Sequence, residues 1–438
     1  MLTGDSTTCI NYSHKIPDCL VENSSNQSKL FNSDENQVNS ITYSNFDKKD
    51  DFPSKSENSA LGTYTKSCKL SLEEKKERYE KKQEKQEAAR KLVGGRLNIC
   101  GRIPVVSNVD GNMIAVPEKL QSVKLLKKGE DSFAFGGLMR CGSVWVCPSC
   151  ASIITEFRRD QLVKAHAEAL KQGLSVSMLT LTVAHYHGDR LVDVLEGISK
   201  ALRLMKNRKH FKVFAKECGL VGDVRTLEAT YGKNGWHPHF HILLFTRQNM
   251  SFENLNDYKR LLLTQWQRAC MTLKMPCPNE HGLDLVDGTW AAAYVSKWGV
   301  EEEMTKGNLK KGKKEGHLSP FGLLEVAAGG DEKAAECFQE YAKAFKGKRQ
   351  LVWSKGLKEM LGVNDDLTDQ EIIENEEKKA EVFMVISYED YKLIIDNHKQ
   401  AECLFMCSAG KDAVLKWLDN LRKSALRFPF YNDRASAV

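Results

Sequence analysis

Residues 221–245, VGDVRTLEATYGKNGWHPHFHILLF, admit few folds. Two runs of strand-forming composition flank Gly232-Lys233-Asn234-Gly235, a turn signal of the kind that closes a β-hairpin. The second run carries His237, His239 and His241 at every second position and then a wholly apolar tail, Ile242 to Phe245. Residues two apart on a strand share a face, so the three imidazoles point one way and Phe240 and Ile242 the other. Polar rings left unpaired beside a core are costly, so the ladder implies a site.

The opposing strand supplies another donor. If the turn pairs Tyr231 with Trp236, Glu228 lies opposite His239. A tighter Asn-Gly turn moves it opposite His241, still on that face, and a loop of odd length reverses the parity. Two imidazoles and one carboxylate with open positions suit a catalytic divalent cation. Mg²⁺ or Mn²⁺ fits where a substrate supplies phosphate oxygens, and zinc competes on ligand type alone. His185 and His187 form a second His-x-His pair, but Gly188-Asp189-Arg190 follows, and loop histidines are mostly solvated.

The chain has 438 residues, room for two or three domains of ~150 residues. No run approaches the ~18–20 apolar residues of a membrane span. The N-terminal MLTGDSTTCINYSHKIPDC lacks the charged-then-apolar order of a secretory signal. The expectation is a cytoplasmic protein with no membrane partner. A net charge of +6 permits a nucleic-acid partner without requiring one.

Residues 1–65, rich in Ser and Asn, read as a disordered tail. Residues 66–95 interleave Glu and Lys at helical spacings and read as a charged helix, solvated or in contact with DNA. Residues 96–152 carry cysteines, 153–362 alternate amphipathic helices with strands, and 363–438 suggest a small αβ appendage. A GxxxxGK[ST] loop is absent, and with it an ATP-driven motor.

The chain has 13 cysteines and no secretory signal, so clustered cysteines read first as metal ligands. Cys147-Pro-Ser-Cys150 is a CxxC knuckle, Cys141 lies six residues upstream, and Cys100 offers a fourth thiolate. Four cysteines in separated parts of the chain suit a closed, tetrahedral structural zinc site.

In AAAYVSKWG, Tyr294 and Lys297 stand at i and i+3 on one face of an expected helix. A tyrosine can attack a phosphodiester and hold the DNA end covalently, a bound metal would polarise the phosphate, and an ammonium would stabilise developing negative charge.

SMLTLTV (177–183), GWHPHFHILLF and AAAYVSKWGVEEEMTKG follow the order and spacing of the three motifs of HUH endonucleases. The chain most resembles the replication initiators of bacterial rolling-circle plasmids, with CGSVWVCPSC upstream and GKRQLVWSKGLK downstream adding to the likeness. The resemblance covers roughly residues 95–360. It implies an α+β fold with a central antiparallel β-sheet flanked by helices, to which this chain adds the zinc-ribbon-like cysteine insertion and the small C-terminal αβ appendage read above. It implies that His239 and His241 are the metal pair, that Glu228 is a further ligand, and that Tyr294 is the nicking nucleophile. Tyr294 would form a 5′-phosphotyrosyl bond and free a 3′-OH primer, with Lys297 assisting. His237 would be a further ligand or a donor to the scissile phosphate. Some initiators carry a Glu one helical turn before the tyrosine; here Trp290 stands there.

The expected partners are plasmid origin DNA, a host helicase and a DNA polymerase. Lys306, Lys310, Lys311, Lys313 and Lys314 would hold the DNA backbone, or form a solvated loop. An HUH transposase or mobilisation relaxase would use the same chemistry. A non-catalytic zinc-ribbon regulator would leave the histidines and Tyr294 without a role.

Overall fold

The computed structural model describes residues 71–105, 108–109, 112–113, 121–129, 132–248, 252–286, 317–363 and 366–427. The expected 1–65 tail lies outside them, as do Tyr294, Lys297, Trp290, Lys306, Lys310, Lys311, Lys313 and Lys314. In chain order the elements used below are α1 (Leu72–Val93), β1 (Ser122–Lys127), β2 (Phe133–Gly136), α2 (Pro148–Lys171), β3 (Ser175–Thr182), α3 (Leu191–Asn207), α4 (Lys209–Glu217), β4 (Leu220–Gly232), β5 (Gly235–Thr246), α5 (Phe252–Thr272) and β6 (Leu283–Val286). They continue with α6 (Pro320–Ala328), α7 (Glu332–Phe345), β7 (Leu351–Trp353), α8 (Asp369–Lys379), β8 (Glu381–Ser387), α9 (Tyr388–Asp396), α10 (Gln400–Cys407) and α11 (Lys411–Arg427).

The hairpin β4–β5 is the centre of a five-stranded sheet ordered β6-β3-β5-β4-β7, antiparallel throughout. Its register pairs Tyr231 with Trp236 and Gly232 with Gly235, so Glu228 lies opposite His239. Of the registers open to the sequence, this is the one set by Gly235, which takes the left-handed φ of 84° that closes the turn.

Period-two patterning divides the sheet's faces. Leu179, Leu181, Leu227, Phe240, Ile242 and Leu244 enter the main core with residues of α3, α5 and α7. Val176, Val224, Leu243, Phe245 and Leu351 form a second core under α2 and the 357–363 stretch. The histidines share that second face but lie beyond this cover, at the hairpin end. The Asp223 carboxylate ties in the edge strand β7, accepting from Lys206 at 2.7 Å and from the Ser354 hydroxyl at 2.8 Å.

A second sheet, β8-β1-β2, joins the two ends of the described chain. Strand β8 comes from the C-terminal stretch, β1 from the cysteine-bearing stretch, and Ile386 pairs with Val123. Val123, Leu125, Phe135, Tyr391, Ile394, Cys403 and Leu418 close its core.

Helix α1 is solvated along its first half, as its charge pattern predicts, but partly buried along its second. Ser71 and Glu74 cap it reciprocally, and Lys85, Gln86 and Ala89 are buried. Lys85 pairs with Glu325 of α6 at 2.6 Å, and the Gln83 side-chain Oε1 accepts from Ala401 N–H at the start of α10 at 2.8 Å. A charged sequence hides this burial because long polar side chains bury their stems and keep their polar tips paired. Among the described residues no helix is long and apolar enough to cross a membrane.

Candidate functional site

Glu228, His239 and His241 converge on the open part of the sheet. One Glu228 carboxylate oxygen lies 3.3 Å from His239 Nε2 and 3.7 Å from His241 Nε2. The three ligand atoms lie within 4.8 Å of one another. Donors about 3–4 Å apart can share one ion at bonds of ~2.0–2.2 Å, so the set fits a divalent cation.

The other ring nitrogens are engaged. His239 Nδ1 faces the His237 carbonyl at 3.3 Å. A carbonyl only accepts, so Nδ1 carries the proton and the Nε2 lone pair is left for a cation shared with the Glu228 carboxylate. His241 Nδ1 lies 3.2 Å from the Thr180 hydroxyl. This is the outer-shell arrangement that orients metal-binding imidazoles. Burial holds the His241 pKa down to about 4, with the Glu228 carboxylate pulling it up and His239 pushing it further down. A neutral imidazole is the form that binds metal.

His237 shares the face but stands apart from the three-residue group. Its Nε2 bonds the Thr182 hydroxyl at 2.8 Å. Its ring lies 4.8 Å from that of His185 and 6.4 Å from that of His317. Sequence reasoning set His185 aside as a loop residue and passed over Thr180, Thr182 and His317. The threonines were legible as alternate residues of SMLTLTV, but only the pairing of Thr180 with His241 and of Thr182 with His239 gives them a partner. Tyr294, Lys297 and the five lysines have no described position. The chain leaves β6 at Val286, paired with Met178, and re-enters beside the site, where Leu318 bridges Tyr231.

A second group brings together Cys100, Cys141, Cys147 and Cys150, all buried. The sulfur of Cys100 lies 3.7 Å from that of Cys147 and 3.6 Å from that of Cys150, and Cys141 lies 3.6 Å from Cys150. A tetrahedron of ~2.3 Å Zn–S bonds has edges of this length. Cys147 caps the N-terminus of α2, where Cys150 N–H donates to its sulfur at 3.4 Å. Gln86 of α1 donates to the same sulfur at 3.4 Å. Crowded thiols titrate against one another. The Cys141, Cys147 and Cys150 thiols pull Cys100 far below its ordinary range, while Cys100, Cys141 and Cys147 push Cys150 far above its own. A cation removes that conflict. Arg140, next to Cys141 in sequence, pairs with Glu377 of α8 at 2.9 Å, and the Tyr391 hydroxyl of α9 donates to the Gly101 carbonyl at 2.5 Å. The cysteine group is therefore braced from both ends of the chain.

A family model described as replication protein matches residues 139–396. The protein rep of Streptomyces lividans is 25% identical over 303 residues, 53% of this chain and 66% of its own length. A neomycin resistance protein of Streptomyces cyanogenus is 27% identical over 133 residues, 25% of this chain and 30% of its own. The protein rep of Bacillus amyloliquefaciens is 31% identical over 135 residues, 29% of this chain and 36% of its own. The chain spans less than two thirds of each of these relatives. No solved structure matches it.

Proposed function

The chain belongs to the replication protein family, and from that premise we propose that it initiates plasmid rolling-circle replication by nicking and rejoining one DNA strand at the origin. The observation that carries this reading is the Glu228, His239 and His241 group on an open sheet face.

In this reading the three side chains hold Mg²⁺ or Mn²⁺, which when bound polarises the scissile phosphodiester. Tyr294 is the nucleophile. Its phenolic oxygen gives up its proton to solvent and bonds to phosphorus, the bond to the 3′-oxygen breaks, and that oxygen takes up a proton from solvent. The products are a 5′-phosphotyrosyl bond and a 3′-OH from which a host polymerase extends. Lys297 stabilises negative charge on the phosphate. Lys306, Lys310, Lys311, Lys313 and Lys314 grip the backbone of the same strand. The four cysteines hold a structural zinc, and strand separation falls to a host helicase.

The test is a covalent adduct between the purified protein and single-stranded or supercoiled origin DNA, with Mg²⁺, with Mn²⁺ or with neither added. The adduct should require metal, disappear in Tyr294→Phe and fall sharply in His239→Ala. An adduct that persists in Tyr294→Phe removes that residue as nucleophile, and one that forms equally with neither metal added removes the metal.

A further inference from the structure

The turn at residues 184–189 has no part in the metal group. It folds against the tip of the histidine hairpin and is tightly held. The Asp189 carboxylate accepts from Tyr186 N–H at 2.8 Å, and Asp189 N–H donates back to the Tyr186 carbonyl at 3.1 Å. Gly188 takes a left-handed φ of 100°. The turn approaches Gly235 so closely that a Cβ there would meet the Tyr186 carbonyl oxygen at 3.2 Å and His187 Cα at 3.4 Å. Yet Tyr186 itself is 61% exposed. The backbone is fixed while the largest ring on it stays in solvent.

A lone exposed aromatic carries no message. Here, however, a row of rings leads from the metal group to this turn. His239 and His237 lie 5.4 Å apart at 36°, and His237 and His185 lie 4.8 Å apart at 34°. Those separations are in the range of contacting aromatic rings, and Tyr186 is next in the chain after His185. The adjoining hairpin tip exposes Lys233 and Asn234. Aromatic faces for bases beside cationic and polar groups for the backbone is how proteins hold unpaired nucleic acid without reading its sequence.

We propose that the 185–187 turn and the hairpin tip form a subsite for the single strand flanking the phosphate at the metal group, with an unpaired base stacked on Tyr186 and its backbone against Lys233. This rests on the nicking reading for its substrate, and its test is separable from it.

Fluorescence anisotropy with labelled oligothymidylate, and with the same strand carrying abasic sites, reads the subsite without added Mg²⁺ or Mn²⁺, so that the metal group takes no part while the cysteine zinc stays in place. Wild type should prefer the intact strand. Tyr186→Ala should bind that strand about tenfold more weakly and lose the preference, and Tyr186→Phe should keep both. The subsite is overturned if Tyr186→Ala matches wild type on both strands, or if wild type binds neither strand or shows no preference. The origin adduct is scored separately. Base preference without an adduct sinks the nicking reading and leaves the subsite standing, whereas an adduct without base preference does the reverse.

Discussion

The Thr180 hydroxyl lies 3.2 Å from Nδ1 of His241, on the side of the ring away from Glu228. The contact joins two strands whose register sets Thr180 directly across from His241. It fixes which imidazole nitrogen is free for a metal. Thr180→Val should keep the shape of the side chain and weaken Mn²⁺ binding by roughly 10–100-fold, the usual cost of losing an outer-shell partner. Thr180→Ser should restore it. Calorimetric titration of the folded variants checks this, and unchanged affinity in Thr180→Val would remove the positioning role.

The depressed pKa of His241 has a consequence for acid stability. Its ordinary value is 6.5 and its folded value about 4, so between these values the unfolded chain binds the proton and the folded chain does not. Its contribution is complete above pH 6.5 and is lost as pH falls toward 4, by up to about 3 kcal/mol. In metal-free protein, His241→Gln should flatten this part of the profile. Urea unfolding of both proteins at several pH values between neutral and 4 reads the difference, and parallel curves would contradict the shift.

The cysteine group predicts a metal content. Purified protein should carry one zinc per chain by native mass spectrometry, and Cys150→Ser should lose it. The loss should cost more than about 4 kcal/mol, in the range typical of removing a structural metal. Because Gln86 of α1 bonds Cys147, the same variant should expose the α1 backbone to hydrogen exchange. Wild type that is stable and free of zinc would refute the assignment.

Glu340 of α7 holds the histidine strand from behind. Its carboxylate accepts from Trp236 Nε1 at 2.7 Å and from Leu191 N–H at 2.8 Å. Glu340→Ala leaves both donors without this acceptor and should destabilise by roughly 1–3 kcal/mol for each donor left unsatisfied. Glu340→Gln keeps one carbonyl acceptor and should cost less. Equal stability of all three proteins in urea would show that water replaces the carboxylate.

Much of the site was legible from local pattern. The alternation of His237, His239 and His241 sets one face at any register, because side chains on a strand repeat every two residues. The CxxC spacing likewise marks Cys147 and Cys150. What local pattern leaves open is the choice of partner. The turn allowed Glu228 to face either His239 or His241, and the left-handed Gly235 selected His239. Thr180 and Thr182 read only as strand residues until β3 paired with β5. His185, which reads as a solvated loop residue, meets the His237 ring only because its turn packs on the hairpin. Cys100 reaches the other thiols through loop geometry that its own neighbours do not encode.

The amino-acid sequence by itself determined the hairpin, the imidazole face, the cysteine knuckle and most helices, since each follows from periodicity and turn chemistry within a few residues. Tertiary structure alone decided that the C-terminal half of α1 packs against the body of the protein and that β8 pairs with β1. It also decided that Thr180 orients His241. Those outcomes depend on which distant surfaces bury one another, and that competition between non-local contacts leaves no periodic trace in the chain.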